Sequence, residues 1–210
     1  MAMSLDGKIT AEGDLFPNFT SRFDRHKLFS LRSWADALIV GAGTVRGENL
    51  PPLIRDPALV EQRRKNGQSD HPPVFILSNS GNLPWDQGYF HQTETKVHVV
   101  SPAERDPQTP DSVTWVQTTR TENLPQTLTR IQDLGHRHFL VEGGSRLAYA
   151  FVQQNCIDRL YLTLAPHFLG GKSNPTLLSG PALQASLWVL EQSETHQSEL
   201  HLVYRHATAD

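Results

Sequence analysis

Leu140-Val141-Glu142-Gly143-Gly144-Ser145-Arg146-Leu147 joins an apolar strand to a helix through a carboxylate and two glycines, and the reading of this junction decides the fold. The run from Arg137 to Val141 reads as a buried strand, while Leu147, Phe151 and Val152 recur at helical spacing behind the glycines. A diphosphate can approach bare backbone N–H groups and the positive end of a helix dipole at such a corner, with no Cβ in the way. The strand-end carboxylate, Glu142, is then left to face a second ligand. A glycine pair after a strand is also an ordinary turn, so one corner alone identifies nothing.

A second corner, Ala37-Leu38-Ile39-Val40-Gly41-Ala42-Gly43-Thr44-Val45-Arg46, repeats the pattern. In open α/β sheets ligands bind beyond the carboxyl ends of the strands, so two glycine-rich strand ends on one edge form a pocket for an extended phosphate-bearing molecule. The second corner lacks the third glycine of G-x-G-x-x-G, and no acidic residue ends a following strand at the expected offset. No Gly-Lys-Ser/Thr is present. Rossmann and P-loop sites are therefore disfavoured.

At 210 residues, with 38% hydrophobic and 20% charged, the composition suits one soluble globular domain over residues 1–210. No apolar run approaches the ~20 residues needed to span a bilayer, and no basic region followed by an apolar core opens the chain, so a cytoplasmic protein without membrane contact is expected. The net charge of -3, with scattered basic residues, gives no footprint for nucleic acid. The ten histidines form no H-E-x-x-H or Cys/His cluster, so no metal is expected and His136, His138, His201 and His206 read as surface or edge residues. The single cysteine, Cys156, reads as a buried structural thiol.

Strand and helix signals alternate through most of the chain, the pattern of an α/β sheet. Ser21 caps a helix with Phe23, Leu28, Leu31 and Trp34 on its apolar face, and Asp56-Pro57 opens a polar helix ending at Gly67. Strands are predicted at 38–40, 74–77, 97–100 and 113–116. Leu124-Pro125 starts a helix with Leu128, Ile131 and Leu134 on one side, closed by Gly135. Extended runs follow at 160–165, 187–191 and 200–204. A short polar turn around His196 makes the last two an antiparallel hairpin, so the sheet is mixed and mostly parallel.

Four motifs, Ala2-Met3-Ser4-Leu5-Asp6-Gly7-Lys8-Ile9, the segment from Asp36 to Arg55, Val141 to Leu147, and Leu164-Ala165-Pro166-His167-Phe168-Leu169-Gly170-Gly171, together resemble the C-terminal reductase domain of the bacterial riboflavin-biosynthesis deaminase/reductase. The resemblance implies a three-layer dihydrofolate-reductase-like fold and NADPH-dependent reduction of the ribosylamino group of a pyrimidine ribosyl phosphate to ribitylamino. The deaminase half needs an H-x-E and P-C-x-x-C zinc site. One cysteine cannot supply it, so the chain looks like a stand-alone reductase.

Carried over residue by residue, the resemblance implies that the cofactor touches Ala2, Phe19, Thr44, Glu48, Ser78, Gly143, Gly144, Ser145, Arg146 and Leu147. The substrate is expected at Pro52, Arg55 and Glu142, with Glu142 serving the substrate rather than the fold. Arg55 can fork two N–H bonds onto a phosphate. Ser78 opens a cluster of short polar groups suited to a 2′-phosphate, which a plain polar turn would equally explain. Asp6 and Lys8 flank a glycine turn and are candidates for polarising the opened ribose carbonyl or imine, although Asp before Gly is also an ordinary turn sequence. The family's Asp-Asn-Pro-x-Leu-Thr-Val-Arg is here Glu48-Asn49-Leu50-Pro51-Pro52-Leu53-Ile54-Arg55, Met1 stands where a polar substrate-facing residue is frequent, and Pro17 replaces a common serine. These departures keep two alternatives open: a dihydrofolate-reductase-like reductase of another carbonyl or pterin compound, and a nucleotide-binding partner without turnover. The family is typically dimeric, and the apolar hairpin bearing Trp188, Val189, Leu202 and Tyr204 suits a homodimer.

Overall fold

The computed structural model describes residues 1–10 and 19–207, which leaves Pro17 outside the described residues. In chain order the elements are β1 (Ala2–Ser4), α1 (Arg22–Trp34), β2 (Ala37–Gly41), α2 (Ala42–Gly47), α3 (Pro57–Lys65), β3 (Val74–Leu77), α4 (Gly88–His91), β4 (Val97–Ser101), β5 (Val113–Gln117), α5 (Leu124–Asp133), β6 (Phe139–Val141), α6 (Ser145–Gln153), β7 (Arg159–Ala165), β8 (Trp188–His196) and β9 (Glu199–His206). They fall into two compact units, Met1–His26 with Ser145–Asp210, and Lys27–Gly144.

The Lys27–Gly144 unit is built on a parallel sheet in the order β5-β4-β3-β2-β6. Its central strands are covered on both faces, which is why Ala37-Leu38-Ile39-Val40 and Val74-Phe75-Ile76 read as continuous apolar runs instead of alternating ones. Asp56 caps α3 by accepting from the Ala58 N–H at 2.9 Å. Asn123 and Gln126 close a reciprocal capping box on α5. Gly67 and Gly135 take left-handed φ values of 72° and 94° beyond the ends of α3 and α5. Arg63 on α3 is 2% exposed and donates to the carbonyls of Ser33, Ala35 and Ser69, so it binds the end of α1 to α3.

The other unit carries a second hydrogen-bonded sheet, β1-β7-β9-β8, with β1 parallel to β7 and the remaining pairs antiparallel. The mixed character expected from sequence is therefore held by this sheet, while the first is wholly parallel. Ser21 caps α1 as expected, accepting from the Asp24 N–H at 3.2 Å.

Several expectations need correction. Trp34 and Leu134 are 56% and 51% exposed, so neither belongs to a buried helix face. The antiparallel hairpin expected around His196 is present: His196 ends β8 and stacks on Phe23 at 4.1 Å, and the turn itself is Gln197-Ser198, with Gln197 at φ 53°. His201 is not a surface residue. It is 5% exposed, with Nδ1 3.1 Å from the Thr163 hydroxyl and Nε2 3.4 Å from Glu199. Cys156 is only half-buried, and its thiol is pushed up by burial and by the nearby Asp158.

Candidate active site

The strands that carry the two corners are neighbours. Leu38 aligns with Leu140 and Ile39 with Val141 in a parallel ladder, so β2 and β6 bring their carboxyl ends to the same edge. The ladder continues one step further, where the Glu142 N–H donates to the Ile39 carbonyl at 2.9 Å. Beyond it the Gly144 N–H donates to Thr44 Oγ1 at 3.2 Å, tying the corners across 100 residues of chain. Neither Gly43 nor Gly144 has a left-handed φ, and a Cβ on either would meet no atom within 4 Å. Packing does not demand glycine at these positions. The open space above them is instead what a close-lying ligand requires.

A strand-end carboxylate must be either solvated or paired, and Glu142 is paired. Arg32 Nε donates to Oε1 at 2.7 Å and Nη2 to Oε2 at 2.6 Å, a bidentate fork between side chains only 13% and 16% exposed. The third arm, Nη1, donates to the Leu53 carbonyl at 2.7 Å and so anchors the loop that departs from the family pattern. The expectation that Glu142 serves the substrate and not the fold is thus corrected in one respect: the carboxylate also closes an ion pair. Glu48 is exposed on the same unit and makes no hydrogen bond or ion pair among the described residues. Its carboxyl is held above the usual range, first by partial removal from water and then by the Glu142 carboxylate, with Arg32 opposing.

The rest of the expected substrate side is divided. Pro52 is buried and its side chain offers no polar atom, whereas Arg55 is exposed. Arg55 makes a single 3.5 Å contact with Glu94, and both side chains are about half exposed, 55% and 45%. Such a pair is worth ~1 kcal/mol or less and leaves most of the guanidinium open.

Ser78 is 5% exposed, and its Oγ accepts from the Gly81 N–H at 3.1 Å, the use that the polar-turn reading foresaw. Gly81 turns there at φ 67°, where a side chain would strike Trp115. Sequence reasoning missed the cation at this turn. Arg46, in the last turn of α2, donates Nη2 to the Asn82 carbonyl at 2.8 Å while remaining exposed.

In the other unit, Asp6 ties its own turn to the loop at Leu169 and Gly170. It accepts from Ser4 Oγ at 2.6 Å, the Leu169 N–H at 3.0 Å and the Gly170 N–H at 2.8 Å. These donors pull its carboxyl down to about 2, Ser4 contributing most. Lys8 Nζ donates to the Asn174 carbonyl at 3.1 Å. Asp6 and Lys8 therefore hold the turn, and the polarising role expected of them receives no geometric support. Ala2 pairs with Thr163 on β7, and Met1 prolongs that pairing as its carbonyl accepts from the Thr163 N–H at 2.9 Å. Phe19 lines a concavity of about 320 Å³ with Ser21, Pro166 and Glu199. Ser145 is buried, while Arg146 is exposed and Leu147 half-buried. A larger surface hollow of about 440 Å³ lies along α5 and contains none of the expected site residues. Among the described residues, no group of three or more His, Cys, Asp or Glu side chains is arranged to hold a metal ion, and no helix is long and apolar enough to cross a membrane.

A family model described as the RibD C-terminal domain matches residues 1–202. The chain is 28% identical over 185 residues to the 2,5-diamino-6-ribosylamino-4(3H)-pyrimidinone 5′-phosphate reductase of Archaeoglobus fulgidus, covering 86% of this chain and 84% of that protein. It is also 28% identical to the riboflavin biosynthesis protein RibD of Bacillus amyloliquefaciens, covering 88% of this chain but 49% of that longer protein. The crystal structure of a pyrimidine reductase-like protein from Corynebacterium diphtheriae shares the fold, with a TM-score of 0.82 at 24% identity, covering 98% of this chain and 89% of the other.

Proposed function

Because the chain belongs to the RibD C-terminal domain family, we propose that it is an NADPH-dependent reductase that converts the ribosylamino group of a pyrimidine ribosyl phosphate to ribitylamino, a step of riboflavin biosynthesis. The observation that carries this reading is the paired corner, where two strand ends are joined by the Gly144–Thr44 bond beside the Arg32–Glu142 fork. The open space at Gly43 and Gly144 fits a nicotinamide cofactor, which when bound supplies hydride to C1 of the opened ribose or its imine.

The chain's own residues bind and orient. Thr44, Gly143 and Gly144 present the corner backbone, and Glu48 offers an acceptor. Glu142 accepts from a sugar hydroxyl or a pyrimidine N–H while Arg32 fixes its direction. Arg55 meets the phosphate. At the 2′-phosphate of NADPH we assign Arg46 as the cation and Ser78 as the residue that shapes the turn beneath it. Ala2, Phe19, Ser145, Arg146 and Leu147 stay in the proposal as cofactor contacts on the strength of the family resemblance.

Residues 1–210 are taken as one reductase domain, since one family match runs through both units. A homodimer through the C-terminal hairpin is part of the same proposal. It is supported by β8, an edge strand on which Val189 and Leu190 are 41% and 49% exposed, with Leu187 before it at 71%. A cytoplasmic location, where NADPH is supplied, completes the proposal.

The buried Pro52 in the rearranged loop favours one other reading, reduction of a different carbonyl or pterin compound on the same fold. Assaying NADPH oxidation with the diamino-pyrimidinone and the aminouracil ribosyl phosphates separates them. Turnover of either to its ribityl product supports the proposal; oxidation with other carbonyl compounds alone, or cofactor binding without oxidation, overturns it.

A further inference from the structure

The sheet β1-β7-β9-β8 carries a buried polar network that the cofactor and substrate readings leave unused. His201 on β9 stands in register with Thr163 on β7 and Glu194 on β8, and Glu199, two residues back along β9, shares that face. Asp24, from the first turn of α1, enters the network from outside the sheet, and the Thr163 hydroxyl donates to its Oδ1 at 2.5 Å. Glu199 grips the entry to the same helix. It accepts the Ser21 N–H on Oε1 at 2.6 Å and the Ser21 hydroxyl on Oε2 at 2.5 Å. The Asp24 and Glu199 side chains are only 18% and 7% exposed, and among the described residues no lysine or arginine pairs with either.

Counting protons fixes the state of the ring between them. A threonine hydroxyl has one proton, and Thr163 gives its own to Asp24, so the 3.1 Å contact with His201 Nδ1 requires that nitrogen to donate. The other nitrogen, Nε2, is enclosed and off the line of a hydrogen bond, 3.4 Å from Glu199 Oε2. Left bare, it would seal a lone pair against a carboxylate. Protonated, it makes the ring an imidazolium 3.4 Å from Glu199 and 3.9 Å from Asp24, the cation that two buried carboxylates need. The other groups around the ring supply no such charge: Phe23 packs on it in a T-shape at 5.2 Å, His196 stacks on Phe23, and Glu194, its ladder partner, is a further acid.

We propose that His201 is held as an imidazolium between Asp24 and Glu199, and that this charge makes it a positioning residue, fixing the Phe19–Ser21 entry to α1 against the strand at Ala2. Thr163, which receives the Nδ1 proton, is the ladder partner of Ala2 and donates its N–H to the Met1 carbonyl. Ser21, which Glu199 grips, lies two residues beyond Phe19. Without the charge, the two carboxylates repel one another across the ring and α1 loses its seat on β7 and β9. The positioning role rests on the reading that Ala2 and Phe19 meet NADPH.

Nitrogen-15 NMR of the ring, assigned by its absence in His201→Gln, reads the charge directly. At about pH 7.5, where an unperturbed imidazole is neutral, both ring nitrogens should carry protons, and a singly protonated ring overturns the proposal. Glu199→Gln keeps an acceptor for the Ser21 N–H but removes one of the two charges. It should move the ring titration to lower pH by at least about half a unit; an unchanged titration overturns the pairing. NADPH affinity, followed across the same pH range, tests the positioning. In the parent it should fall about threefold to tenfold as the ring becomes neutral, and in Glu199→Gln that step should move with the ring. An affinity profile that ignores the ring titration, or one that His201→Gln reproduces, overturns the positioning role. If the parent binds no NADPH at any pH, the cofactor reading itself fails, and the ring titration still decides the imidazolium.

Discussion

Asp6 and Glu142 were both expected to act on substrate, and the structure treats the two carboxylates in opposite ways. Asp6 accepts from the Ser4 hydroxyl of its own turn and from two backbone N–H groups of the loop at Leu169 and Gly170. Glu142 is held by a single cationic side chain, whose remaining arm supports a loop expected to meet substrate. Backbone donors cannot turn aside for a ligand, so a carboxylate that they saturate is a structural element. One fixed by a flexible guanidinium keeps its outward lone pairs and a strong local charge. The number of partners matters less than whether those partners belong to the backbone.

Glu142→Gln breaks the comparison most severely. It removes half of a largely buried fork and leaves Arg32 charged, so stability should fall by about 1–3 kcal/mol, and turnover by at least about tenfold. Urea unfolding and steady-state kinetics measure the two effects. Normal turnover with the stability loss would reduce Glu142 to the same structural standing as Asp6.

Gly144→Ala tests the corner from the opposite side. No atom of the folded protein opposes the added methyl, so stability should change by no more than about 0.5 kcal/mol, while NADPH affinity drops about tenfold. Calorimetry on the protein and its cofactor reads both. Next in size is Arg46→Ala, expected to lower the preference for NADPH over NADH about fivefold, checked by the ratio of kcat/KM values. An unchanged ratio would move the 2′-phosphate away from the Asn82 turn.

The smallest effect on turnover is expected from Asp6→Asn, with kcat within about twofold of the parent. Its signature is in acid instead. The folded carboxyl sits at about 2 against an ordinary 3.8. Its contribution to stability is therefore complete above the ordinary value and is lost as the pH falls through that value toward 2. Melting curves across this window should show the parent losing more stability than the variant, and parallel curves would end the structural account of Asp6.

These contrasts also show what the sequence could disclose. β2 and β3 were legible because strands covered on both faces are written as unbroken apolar runs, and the glycine corner at Gly41 followed from the end of β2. Arg32 was invisible as a site residue: on the chain it is one more basic residue of a helix, and its carboxylate lies 110 residues away. Arg46 closed a quoted motif, but its contact with Asn82 depends on a turn that only the folded sheet edge creates. Helical spacing misplaced Trp34 and Leu134 because it marks the apolar side of a helix and not where that side ends. The β8 strand was cut short at Glu191, since its exposed polar continuation to His196 resembles a loop.

Arg63 carries a consequence for behaviour in brine. Its hydrogen-bond acceptors are all neutral carbonyls, and its guanidinium is 2% exposed. Burial lowers its proton affinity, but an arginine keeps its charge under any condition the protein survives. Dissolved ions screen exposed pairs such as Arg64–Asp70, whose side chains are 57% and 43% exposed. They cannot reach a cation sealed among peptide oxygens. The seam between the end of α1 and α3 is thus insulated from ionic strength, so concentrated salt should loosen the protein's outer ion pairs while this seam keeps its shape.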